Sequence, residues 1–251
     1  VNPRERVLIV TGGGRGIGAA TARLAARAGY AVAVNFRTRS DRAHRLCEEI
    51  EAGGGRAVGI QADVAQEAQI KNLFDTCERE LGTVTHLVNN AGIIGPVTRV
   101  ENLQADDLRA VIDTNIVGSV LCAREAVRRM SRRFGGNGGA IVNLSSRAAR
   151  LGGPNEWVHY AATKGAIDTL TVGLAHEVGP DGVRVNAVAP GLIETEIHAE
   201  AGLPERLAQK APGVPLKRPG TAQEVAEAIL FLLSDAASYV NGAILDVGGG
   251  R

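Results

Sequence analysis

Seven short, almost wholly apolar runs recur along the chain, at residues 7–11, 31–36, 56–61, 84–89, 140–145, 183–188 and 243–247. Runs this short and this uniform predict strands buried on both faces. Most are separated by segments whose apolar positions repeat with helical spacing, such as Ile17, Ala20, Leu24 and Ala28, or Val225, Ile229 and Leu233. Strand and helix in alternation lead to an α/β fold. The expected architecture is a single Rossmann domain over residues 1–251, a doubly wound seven-stranded parallel sheet with helices on both faces. No repeat, low-complexity tract or linker divides the sequence. The least regular stretch, about 192–219, carries Pro204, Pro212, Pro215 and Pro219 and reads as a loop with a broken helix. It is the natural lid over a substrate.

Composition narrows the function classes. Apolar residues make up 45% of the 251 residues, yet only four Phe, three Tyr and one Trp are present, so the core is expected to be Ala, Val, Leu and Ile. Lys plus Arg number 28 against 27 Asp plus Glu, a formal net charge of +1. Neither a nucleic acid nor an anionic membrane finds a global field to bind. Cys47, Cys77 and Cys122 are odd in number and lack metal-ligand spacing, so no disulfide framework and no metal site is expected, and a reducing cytoplasmic compartment is. The apolar run at 7–10 is too short for a signal h-region or a membrane span.

Gly accounts for 32 residues, and its densest cluster follows the first strand: Thr11-Gly-Gly-Gly-Arg-Gly-Ile-Gly18. Gly12, Gly16 and Gly18 permit a tight turn, and the helix opening at Ile17 offers free N–H groups and a positive dipole end to a pyrophosphate. The alternative is a merely tight turn. The second strand ends in Asn35-Phe36-Arg37, where an NAD-specific site would carry an acid for the adenosine 2′-hydroxyl. Phe36 stands there instead. Arg37 follows, and Arg15 can reach the same place, so NADP(H) is favoured with NAD(H) as the alternative. Arg37, Arg39 and Arg42 could equally form a solvated surface.

Tyr160 and Lys164 sit four residues apart at the start of a helical run and so share a face. A free Tyr has a pKa of about 10 and is a poor proton carrier near neutrality. An adjacent ammonium and an oxidised nicotinamide would favour the phenolate. Upstream, Asn143-Leu-Ser-Ser146 closes a strand and places a hydroxyl at its C-terminal end, where open parallel sheets build their sites.

With these elements in order, the sequence resembles the short-chain dehydrogenases/reductases of the classical type over nearly its whole length. The motifs are the glycine pattern of residues 11–18, Asp63-Val64, Asn89-Asn90-Ala91-Gly92, Asn115, Ser146, Tyr160, Lys164, Arg184-Val185-Asn186, Pro190-Gly191, Thr195, Asn241-Gly242 and Asp246-Val247-Gly248-Gly249. The resemblance implies hydride transfer between nicotinamide and a small carbonyl or secondary-alcohol substrate, with Asn115, Ser146, Tyr160 and Lys164 as the catalytic set. Tyr160 would be the general acid in reduction and base in oxidation; Ser146 would bind the substrate oxygen; Lys164 would hold the nicotinamide ribose; Asn115 would sustain a helix irregularity and a water leading from Lys164. Ser145, its neighbour, is the alternative to Ser146.

The same resemblance assigns cofactor contacts. Gly12, Arg15, Gly16, Ile17 and Gly18 would take the phosphates, and Phe36 and Arg37 the adenosine end. Asp63 and Val64 would meet the adenine, with a helix N-cap as the alternative for Asp63. Asn90, Ala91 and Gly92 would frame the inner ribose or simply turn the chain. Pro190, Gly191, Ile193 and Thr195 would lie by the nicotinamide, Thr195 being otherwise a helix-start residue.

The loop between Ser146 and Tyr160 is longer than usual in the family and resembles that of bacterial glucose or ribitol dehydrogenase-like members. Within it, Trp157, with Val158 and His159, forms a pocket wall or packs on the surface. A second resemblance, to 3-oxoacyl-acyl-carrier-protein reductases, would use the Arg128, Arg129, Arg132 and Arg133 cluster to dock an acidic carrier. Against it, these cations suit a helix end, and Asp181 stands where such reductases tend to have a base. A non-catalytic nucleotide-sensing module is the alternative outside enzymology. The terminal helix and strand resemble the tetramer-forming end of the family, so a homotetramer is expected.

Overall fold

In a computed structural model of the chain, the residues described are 6–196, 202–203 and 205–251. Strands β1 (Arg6–Val10), β2 (Tyr30–Phe36) and β3 (Arg56–Gln61) are linked by helices α1 (Gly16–Arg27) and α2 (Ser40–Ala52). Helix α3 (Glu67–Leu81) leads to β4 (His86–Asn89), shorter at its start than the apolar run implies because Thr85 is already hydrogen-bonding sideways to Val7. A long helical stretch follows, α4 (Ala105–Ile112) and α5 (Gly118–Met130), joined by a π-helical turn at Asp113–Val117. Strand β5 (Gly139–Leu144), the short α6 (Ala148–Leu151), α7 (Val158–Val178) and β6 (Val183–Pro190) complete the central part.

The seven-stranded sheet runs β3-β2-β1-β4-β5-β6-β9, all pairs parallel, with β9 at Ile244–Val247. The chain builds outward from β1 to β3, then returns to set β4 on the other side of β1. That reversal opens a crevice beyond the carboxyl ends of β1 and β4, where ligands of open α/β sheets bind.

Alternate residues of each strand feed two cores. Leu8, Val10, Val32 and Val34 pack toward α1 and α9 (Ala222–Leu233), meeting Ala22, Ala25, Val225 and Ile229. Val7, Ile9, Ala31 and Ala33 face the other way, toward Ile70, Leu73, Phe74, Cys122 and Ala126. Small alanines on α1 allow it to press against α9, so a core poor in aromatic residues still closes. Helix α9 begins with a capping box: Thr221 Oγ1 accepts from Glu224 N–H, and the Glu224 carboxylate accepts from Thr221 N–H.

The irregular stretch at 192–219 has a stapled base. Its ends pair as β7 (Ile193–Glu194) with β8 (Gly220–Thr221), a two-residue ladder too short to leave a sequence pattern. Between them lies α8 (Arg206–Lys210). Residues 197–201 and 204 of the expected lid fall outside the described residues. Among the described residues, no helix is long and apolar enough to cross a membrane.

Candidate active site

Thr11 is the hub of the crevice. Its Oγ1 accepts from the N–H groups of Asn90 (2.9 Å) and Ala91 (3.0 Å), while Asn90 Nδ2 donates to the carbonyls of Thr11 (2.8 Å) and Gly12 (3.0 Å). Asn35, at the tip of β2, supports the loop from the other side, accepting from Gly12 N–H (3.1 Å) and donating to the carbonyl of Ala62 (3.0 Å). Gly12 has φ +60°, and a Cβ there would sit 3.1 Å from Ala91 Cα. A Cβ on Gly18 would come within 2.6 Å of both Gly12 O and Asn90 Nδ2. Gly18 therefore lets α1 seat against the loop, and it lies behind the cleft surface.

The cleft holds about 720 Å³. At one end Gly12, Arg15, Gly16 and Ile17 line it, with Phe36 and Arg37 from the end of β2 and Asp63 and Val64 after β3. Asn90, Ala91 and Gly92 form the floor; Pro190, Gly191, Ile193 and Thr195 form the far side. Asp63 is no helix cap: α3 starts four residues later, and its Oδ1 accepts from Ala65 N–H in a local turn. A dinucleotide fits what these residues offer: a loop whose close approach only Gly allows, a helix N-terminus aimed along it, and an elongated volume of the right order.

Arg15 and Arg42 converge at the adenosine end, where both meet the carboxylate of Glu196, at 3.5 and 2.5 Å. Their guanidinium groups hold the Glu196 carboxyl below the usual range, the Arg42 hydrogen bond being the main cause. Neither Glu196 nor Asn35 carries a sequence signal; each matters only through the long-range pairing.

Ser145 and Ser146 both line the cleft, but their hydroxyls differ in surroundings. Ser145 is buried and donates to Asp168 on α7, whereas Ser146 lies beside the Tyr160 hydroxyl. Tyr160 lies in the first turn of α7, half-buried, and desolvation pushes its phenol above the ordinary value while the Ser146 hydrogen bond opposes that. Lys164 is only 5% exposed, and its Nζ donates to Leu144 O at 2.6 Å and lies 5.6 Å from the Tyr160 ring centroid. Desolvation brings its pKa down to about 8, against a raising contribution from Asp168. The expected lowering of the Tyr160 pKa by Lys164 is thus absent from the protein alone, where burial dominates both groups.

Asn115 lies in the π-helical turn, one layer behind the cleft. Its Oδ1 accepts from Ile93 N–H (2.9 Å), and its Nδ2 donates to Ile93 O (2.9 Å) and Thr163 Oγ1 (3.1 Å). The side chain thereby ties the strand-four loop to the helix of Tyr160 and Lys164.

Trp157 lines the cleft and is 5% exposed, while Val158 is turned outward and His159 is buried away from it. The Arg206 guanidinium stacks on the Trp157 ring at 4.2 Å from its centroid and binds Glu156 through both nitrogens, at 2.8 and 2.7 Å. Lid and loop are clamped together there.

A parallel doubly wound sheet, a glycine cradle at its switch point and a Ser–Tyr–Lys cluster at the neighbouring strand end define a nicotinamide-dependent oxidoreductase. A family model described as "Enoyl-(Acyl carrier protein) reductase" matches residues 12–251. The chain is 50% identical over 98% of its length to the uncharacterized oxidoreductase YgfF of Escherichia coli K12, covering 99% of that protein. It is 41% identical over 98% to the cis-4-hydroxycyclohexanecarboxylate dehydrogenase of Sinomonas cyclohexanicum, covering 96% of it. A crystal structure of a short-chain type dehydrogenase/reductase from Mycobacterium marinum superposes with a TM-score of 0.91 at 34% identity, over 98% of this chain and 94% of that one. The protein belongs to the short-chain dehydrogenase/reductase family, an enzyme acting on CH–OH groups of a small molecule with NAD(P) as acceptor.

Proposed function

We propose that the protein is an NADP(H)-dependent carbonyl reductase and secondary-alcohol dehydrogenase in which Tyr160 carries the proton. The observation that supports this reading most is the placement of the Tyr160 hydroxyl beside Ser146, with buried Lys164 one turn along the same helix face. When bound, the nicotinamide supplies the hydride. Tyr160 donates a proton to the nascent alkoxide in reduction and withdraws one in oxidation. Ser146 steadies the substrate oxygen as its charge develops. Lys164, anchored on Leu144 O, brings positive charge to the phenol and binds the ribose, and Asn115 positions this group through Ile93 and Thr163.

The preference for NADP(H) rests on the missing acid at the tip of β2 and on Arg15, Arg37 and Arg42 at that end of the cleft. Gly12, Gly16, Ile17 and Gly18 shape the pyrophosphate site, Phe36, Asp63 and Val64 the adenosine pocket, Asn90, Ala91 and Gly92 the ribose floor. Pro190, Gly191, Ile193 and Thr195 flank the nicotinamide. We read residues 1–251 as one domain with a lid at about 192–219, working in the cytoplasm as a homotetramer. The apolar exposure of Phe231, Tyr239 and Leu245 near the terminal strand supports assembly there. A stable monomer in sedimentation would defeat it.

The carrier-protein reading has little support. Arg129 is engaged by Asp75, Glu78 and Glu125, and Arg128 by Glu125, so two members of the basic cluster are already balanced. The deciding experiment is Tyr160→Phe: turnover of a ketone panel falls by about 10² to 10⁴-fold while NADPH affinity is kept. Wild-type rates in that variant overturn the mechanism, and NADPH binding by the wild type without turnover of any carbonyl favours a sensing module.

A further inference from the structure

We infer that the substrate is a compact apolar carbonyl or alcohol bearing a carboxylate, which Lys210 and Arg251 bind on the lid side of the cleft; this deepens, and rests on, the hydride-transfer reading above. The walls on the Tyr160 side are apolar, formed by Ala148, Leu151, Pro154, Trp157 and Leu192. They suit a ring or short chain. The charged lining on that side is lopsided: Arg147, Arg206, Lys210 and Arg251 face one carboxylate, Glu156.

Two of those cations are spoken for. Arg206 is clamped by Glu156 and stacked on Trp157, and Arg147 pairs with Asp246 and donates to the carbonyl of Arg251. Lys210 and Arg251 have no carboxylate within ion-pair distance among the described residues. Both line the same cleft as Glu156, whose carboxyl the Arg206 hydrogen bond first, and their positive charges after it, hold below the usual range. That places them on the same side of the pocket as the clamp.

A neutral ligand would leave Lys210, exposed at the cleft rim, and half-buried Arg251 without an anionic partner among the described residues. A carboxylate at the end of a ring or chain satisfies both with charge-assisted hydrogen bonds, each worth roughly tenfold in affinity. A phosphate is a poorer match, because the backbone N–H groups that bind one are gathered at the glycine loop.

Trp157 is the only Trp, lines this pocket and reports its occupancy without turnover. Protein saturated with NADP+ is titrated with cyclohexanecarboxylate, with cyclohexanecarboxamide and with inorganic phosphate while Trp157 fluorescence is followed. The carboxylate is expected to bind at least about tenfold more tightly than the isosteric amide and than phosphate. In Lys210→Ala/Arg251→Ala the advantage collapses to about unity, with NADP+ affinity and circular dichroism unchanged. Equal binding of acid and amide, tighter binding of phosphate, no binding of the acid, or a preference that survives in the double variant overturns the inference. Failure of NADP+ to bind at all overturns the cofactor reading instead, so the two can fail separately.

Discussion

Ser145 Oγ donates to Asp168 Oδ1 at 2.5 Å, locking the end of β5 onto the helix that carries Lys164. Asp168 lies one helical turn beyond Lys164, and the same Ser145 hydroxyl also reaches the Lys164 carbonyl at 3.3 Å. One carboxylate thus fixes a strand end and lends negative charge to a buried ammonium.

Neutralising that carboxylate should be visible as a pH effect. Burial already brings the Lys164 pKa down to about 8, and Asp168 is the group that opposes it. In Asp168→Asn the ammonium is lost at lower pH, so the alkaline limb of kcat/KM for ketone reduction moves acidward while rates near pH 6 stay within about threefold of wild type. Superimposable pH–rate profiles would show that Asp168 acts on packing alone.

Lys164 also predicts how stability varies with pH. Its folded pKa, about 8, lies below the ordinary 10.5, so between those values the unfolded chain binds more protons and stability rises with pH. The cost of the buried ammonium is present in full below about 8 and disappears above 10.5. Relative to Lys164→Met, the wild type should therefore gain up to roughly 3 kcal/mol over that window. Urea unfolding of both proteins at pH 7.5 and 10 checks this; parallel shifts refute it.

At the adenosine end, Glu196 occupies the guanidinium groups of Arg15 and Arg42. Glu196→Gln removes this competing carboxylate, releasing Arg42 for a 2′-phosphate, and should tighten NADPH binding by about three- to tenfold with little change for NADH. Arg37→Ala should act in the opposite sense, weakening NADPH by about tenfold or more and NADH hardly at all. Isothermal titration with the two cofactors decides; equal effects on both would remove the 2′-phosphate from the explanation.

Gly18 has no room for a side chain between Gly12 O and Asn90 Nδ2. Gly18→Ala should cost about 1–3 kcal/mol by overpacking and loosen cofactor binding, because Asn90 must leave the loop carbonyls. Thermal unfolding together with NADPH titration tests both halves.

Much of this site is legible in the sequence because its signals are local. The glycine spacing of residues 11–18, the four-residue step from Tyr160 to Lys164 and the hydroxyls closing a strand each occupy a few consecutive positions. The architecture follows for the same reason, since short apolar runs between helical repeats leave few parallel topologies. Glu196 is different: it matters only because the chain after β7 returns across the cleft to α2. Asp168 had a signal, its four-residue spacing from Lys164, but its partner Ser145 lies 23 positions away. The two-residue β7–β8 ladder has no periodicity to read.

The hydrogen bonds around Thr11 and Asn90 close on one another and on main-chain groups, and among the described residues none reaches the lid or the Trp157 loop. The Thr11–Asn90 floor and the Glu156–Arg206–Trp157 clamp share no partner, so substitutions in one should add to those in the other, while Glu196, paired with Arg15 and Arg42, is where lid and glycine loop meet. A lineage can therefore exchange one substrate for another by rewriting the Trp157 loop and its Arg206 clamp, with the Thr11–Asn90 floor beneath the dinucleotide carried along intact.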